Sequence, residues 1–148
     1  MLVFLLSEIF ERDLLLLKKE IAAYNSPGLL WKPVSGVKNP GGNLCLHLCG
    51  NLQHFIGHVL GGIPYIRNRE NEFSASGIAP EVLLSEVDRT ILSVKGTLAK
   101  ITEGDIQKDF PSEMSGRKVS TGFFLIHLST HLNYHLGQIN YHRRIADS

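Results

Sequence analysis

From about Ser120 to Ile145 the chain repeats at helical spacing: Phe123, Phe124, His127, Leu128, His131, His135 and Gln138 recur every three or four residues. A segment patterned this way is a helix with one committed face, and its core-facing stripe carries imidazoles. His131 and His135 lie four residues apart, so on a helix they sit roughly 40° apart around the axis and one turn apart along it. Two ring nitrogens can then reach one metal ion. Zinc proteases use the same spacing, but there a Glu follows the first His as general base. Here that position is Leu132, and the protease reading fails.

Three further segments share the helical period. The first runs from about Leu2 to Asn25, with Leu5, Ile9, Leu16 and Ala23 among its expected buried residues. Asn25-Ser-Pro-Gly28 ends it with turn chemistry. The second is expected from an Asn43 N-cap to Leu60, where Gly61, Gly62 and Pro64 stop it. The third follows Pro80 and carries Leu83, Val87, Ile91, Val94 and Leu98 on its apolar face to about Ile101. No alternating stretch is long enough for a sheet. The expected fold is all-α, a four-helix bundle over residues 1–148 as a single domain. Its connections are much longer than the 2–8 residues usual between bundle helices. They imply crossovers or ordered segments that cover a site.

A catalytic metal site usually takes three protein ligands and leaves one position open. The chain has seven histidines. His47, His54 and His58 fall within roughly 40° of one another on an α-helix, facing a second stripe of His127, His131 and His135. His47 and His58 would be about 16 Å apart along the axis, so both cannot serve one ion. Spacing alone leaves the choice of the helix-two ligand open. A ferritin-like di-iron site needs inward carboxylates at Glu-x2-His spacing. The second segment has no carboxylate between Asn43 and Leu60, and the last has none before Asp147. Cys45 and Cys49, also four apart, are poorly placed for a disulfide and point away from the His47 face. They read as small core residues.

Composition narrows the rest. Hydrophobic residues make up 43% and charged residues 20%, with a net charge of +1. Such a balance offers no electrostatic footprint for nucleic acid or for an anionic membrane. No apolar run reaches the ~20 residues needed to span a bilayer. The apolar start Met1–Leu6 lacks a basic region and a cleavage site, so the chain is expected to be cytoplasmic.

His131-x3-His135-Leu-Gly137-Gln138 on the last segment and His47-Leu-Cys-Gly-Asn-Leu-Gln-His-Phe-Ile-Gly57 on the second resemble the DinB-like (DinB/YfiT) superfamily of four-helix-bundle metalloproteins. The family pattern has one His in helix two, then His-x3-His followed closely by Gly-Gln in helix four. By position, the resemblance implies a metal triad of His47, His131 and His135 holding one divalent ion, zinc or nickel. Gln138, seven residues after His131, lies on nearly the same face and is placed to orient a ligand. His127 and His54 are expected to support the site or line its pocket. Arg67 and Arg69, in the run Tyr65–Phe73, are either a solvated pair or a clamp for a substrate anion. The resemblance also implies a homodimer and a metal-dependent enzyme of thiol-dependent S-transferase or hydrolase type, with a small thiol cosubstrate. The alternative is a non-catalytic metal- or ligand-binding stress-response protein.

Overall fold

The computed structural model describes residues 1–148; its regular structure is all helical, with no strand beyond three isolated two-residue bridges. Four long helices follow the four periodic segments: α1 (Leu2–Ala22), α2 (Gly41–Leu52, continued as a π-helix over Gln53–Leu60), α4 (Pro80–Leu98) and α5 (Thr121–Ala146). A short α3 (Arg69–Ser74) lies in the second connection, and single 3₁₀ turns occupy Pro27–Trp31 and Asp105–Gln107. α1 packs on α4 and α5, and α2 packs on the same two, so the long helices close a four-membered ring. Ridges from all four meet in one contiguous apolar core that includes Phe10, Leu14, Leu48, Leu52, Leu83, Leu125 and Leu132. No helix is long and apolar enough to cross a membrane.

Several local expectations are corrected. On α1 the buried face is Val3, Leu6, Phe10, Leu14, Leu17 and Ile21. Leu5 and Leu16 are 47% and 41% exposed, Ile9 is only half-buried, and Ala23 is exposed. Helix α1 is leucine-rich all round, so periodicity marks more than one possible stripe, and the neighbouring helices decide which is covered. Asn43 does not cap α2. The helix starts two residues earlier, after Pro40, and Asn43 is buried inside it. Its amide donates to the carbonyls of Glu72 (3.1 Å) and Ala75 (2.8 Å). That pair of bonds fastens α3 to α2. On α4, Thr90 takes a core position and satisfies its hydroxyl on the Glu86 carbonyl at 2.8 Å.

The long connections are ordered by local turns and by their own buried side chains. Gly36, at φ +79°, closes a turn in which Val37 N–H donates to the Val34 carbonyl at 3.1 Å. His142 is buried and fully partnered. Nε2 donates to the Lys32 carbonyl (2.9 Å), while Nδ1 accepts from Gly41 N–H (3.1 Å) and the Tyr24 hydroxyl (2.7 Å). One side chain thereby ties the end of α5 to the first connection and to the start of α2.

Candidate metal centre

α2 and α5 cross so that three imidazoles meet between them. His47 Nε2 lies 3.2 Å from His131 Nε2, and His135 Nε2 lies 3.1 Å from the same atom. Potential ligand atoms of these three residues all fall within 4.8 Å of one another. A tetrahedral ion bonded to imidazole at ~2.0–2.1 Å separates its ligands by about 3.3–3.4 Å along each edge. The two spacings to His131 Nε2 are within a few tenths of an ångström of that figure, and the third edge lies within 4.8 Å.

The outer nitrogens determine which way the lone pairs point. His47 is 6% exposed, and its Nδ1–H donates to Glu72 Oε1 at 3.0 Å. Arg67 Nη2 also lies 3.4 Å from that nitrogen, but Nδ1 cannot both donate and accept; the shorter contact to a carboxylate holds the proton. His135 Nδ1–H donates to Gln138 Oε1 at 2.7 Å. Both rings therefore turn an unprotonated Nε2 towards His131. A proton on His131 Nε2 would answer one of these lone pairs well and the other poorly. Burial, followed by the neighbouring charges of His135 and His47, pushes the His131 pKa down to about 4. His135 is lowered as well, chiefly by burial, with the Gln138 hydrogen bond opposing. Ring nitrogens converging at metal-ligand spacing fit a divalent cation better than they fit each other.

Glu72 was not foreseen from sequence. It is 5% exposed and accepts three bonds: from His47, from Arg67 Nε (2.9 Å to Oε2) and from Arg67 Nη2 (3.0 Å to Oε1). Burial alone would raise its pKa, but the His47 and Arg67 hydrogen bonds and the Arg67 charge outweigh that and leave it lowered. The carboxylate lies directly over Gly50 of α2, where a Cβ would overlap it. This is the carboxylate–histidine arrangement that orients metal-binding imidazoles. A sequence signal for α3 was present. Asn68 caps it by accepting from Asn71 N–H at 3.0 Å, and Glu70 and Glu72 fill its first turn. Nothing in that pattern says that Glu72 turns inward.

The other expected site residues are dispersed. Arg67 reaches the centre as the bidentate partner of Glu72. Arg69 stacks over the Phe73 ring at 5.3 Å, and Phe73 in turn packs on the His47 ring at 4.8 Å. His127 is exposed, with its ring 6.5 Å from that of His131. His54 packs against Phe55 and His58, and His58 Nδ1–H donates to the Ile63 carbonyl at 2.9 Å. His54 and His58 stand about 10 and 16 Å further along the helix than His47, out of reach of the same ion, and the π segment from Gln53 turns His58 further from the His47 face. Gly137 is exposed and meets no neighbouring helix. Cys45 and Cys49 are free and buried in the core, as expected.

Geometry thus defines a helical bundle with a three-histidine candidate metal centre between its second and last long helices. The chain belongs to the DinB superfamily, whose family model matches residues 16–139. Among curated proteins none matches the chain.

Proposed function

We propose that this chain holds one divalent ion, zinc or nickel, on His47, His131 and His135, and uses the ion's open position in thiol-dependent S-transferase or hydrolase chemistry. The observation that carries this reading is the convergence of three Nε2 atoms with no fourth protein ligand in the group. Three ligands and a vacant position are the pattern of a catalytic site, whereas structural zinc is closed by four. When bound, such an ion lowers the pKa of a water or thiol in its open position. Glu72 and Arg67 hold the His47 ring in place, and Gln138 does the same for His135. The test is cobalt substitution followed by a panel of small thiols. A sulfur-to-cobalt charge-transfer band should form, strengthen with pH until the thiol is ionised, and vanish in His135→Ala. It should survive in a Cys45→Ala, Cys49→Ala variant, because those two thiols are buried in the core and are not among the converging ligand groups. No band with any thiol would leave a non-catalytic metal- or ligand-binding protein as the better reading.

We also propose a homodimer. Phe4, Leu5, Leu15 and Leu16 are large apolar side chains of α1 that the bundle leaves exposed. Light scattering should give twice the chain mass at micromolar concentration, and a Leu5→Lys, Leu16→Lys variant should be monomeric. A monomeric wild type would refute the dimer.

A further inference from the structure

A cavity of about 470 Å³ opens beside the metal centre and shares His135 and Gln138 with it. Its outer wall is the turn at Gly36, which places Val37, Lys38 and Asn39 opposite Tyr134 and Tyr141 of α5. The volume lies within the usual range for small-molecule sites. No carboxylate lines it.

We infer that this cavity receives a small organic monoanion with a flat apolar body, its carboxylate held at Lys38 and Asn39 and its other end directed towards the open metal position. Charge selects the sign of the ligand. Lys38 makes no ion pair, and the Arg144 guanidinium stacks over Tyr141 at 5.5 Å, placing a second unpaired cation at the rim. Glu20 of α1, which reaches α5, is already engaged by Arg143 (2.8 Å) and Asn140 (2.7 Å). Polar donors select the head group. The Asn39 amide has no internal partner, and Gln138 spends its oxygen on His135, leaving its NH₂ free to donate. The Lys38 ammonium and the Asn39 amide suit a carboxylate, with the Gln138 amide at the metal end; the cavity has no arginine fork of the kind that favours phosphate. Val37, Leu44 and the two tyrosine rings supply flat apolar walls for the body of the ligand. The outer contacts stand without an ion, while the direction of the inner end rests on the metal reading above.

Benzoate, benzamide and benzamidinium share a shape and differ in charge, so they test the cavity directly. Each is titrated into metal-free and zinc-loaded protein and followed by amide NMR shifts. Benzoate should bind both forms, shifting residues 36–39 and 134–142, and benzamidinium should bind neither. Lys38→Met should weaken benzoate roughly five-fold or more in the metal-free protein. A Tyr141→Ala variant should weaken benzoate and benzamide alike. Benzamidinium binding as well as benzoate, benzoate affinity indifferent to Lys38→Met, or shifts confined to other regions would each overturn the inference. Lys38-dependent benzoate binding in a protein that takes up no zinc would instead refute the metal centre and leave the cavity standing.

Discussion

α5 carries four histidines (His127, His131, His135 and His142) and α2 with its π continuation carries three, yet α5 contributes two to the centre and α2 only one. α5 is α-helical throughout Thr121–Ala146, so the 100° step that aligns His131 with His135 is preserved. α2 carries its other two histidines about 10 and 16 Å further along the axis, past the change to π geometry at Gln53, where His54 and His58 pack on each other. A shared helical face brings residues to one ion only when they also stand one turn apart, as His131 and His135 do.

The difference has a large consequence for metal binding. His131→Ala should abolish stoichiometric zinc uptake while leaving the helical circular dichroism in place, because His131 Nε2 is the atom the other two face. His54→Ala and His58→Ala should bind one zinc per chain as the wild type does. Zinc content measured after gel filtration separates these cases. Loss of zinc in His54→Ala would show that His54 is not held away from the ion.

The two sides should also differ in what their supporting residues are worth. Glu72 is buried and held by Arg67, whereas Gln138 is exposed on α5. Glu72→Gln should lower zinc affinity roughly ten-fold or more, and Gln138→Ala by less, as read by competition with a chelating dye. Arg69→Ala, which touches the centre only through Phe73, should lie near wild type. Equal effects of the Glu72 and Gln138 changes would mean that burial of the carboxylate does not matter to the site.

A smaller effect concerns acid stability without metal. The His131 pKa is about 4 in the folded protein, and its unfolded value is about 6.5. Between those values the unfolded chain binds the extra proton and the folded chain does not. Stability contributed by neutral His131 is therefore present above pH ~6.5 and is lost as pH falls towards ~4. The loss should be on the order of 1–2 kcal/mol after solvent screening, and smaller in His131→Gln. Urea unfolding of metal-free protein at intervals across that window measures it.

Much of this was legible in sequence where local rules operate. The four long helices follow from apolar period and breakers, and His131 and His135 follow from one uninterrupted pitch. His47 needed the family pattern, because spacing alone left three histidines in contention. What remained hidden is set by tertiary contact: the covered stripe of α1, the burial of Asn43, the inward turn of Glu72 over Gly50, and the change of pitch after Leu52. Each depends on what a distant segment presents, and no window of neighbouring residues carries that information.

X-ray absorption at the zinc edge, on protein loaded with one equivalent of zinc in thiol-free buffer, bears most directly on the centre. The geometry predicts three imidazole nitrogens at ~2.0–2.1 Å, completed by a light oxygen or nitrogen scatterer and containing no sulfur. His47→Ala should reduce the imidazole count by one. A shell containing sulfur, two or fewer imidazoles in the wild type, or an unchanged imidazole count in His47→Ala would contradict the assignment of His47, His131 and His135 as the metal ligands.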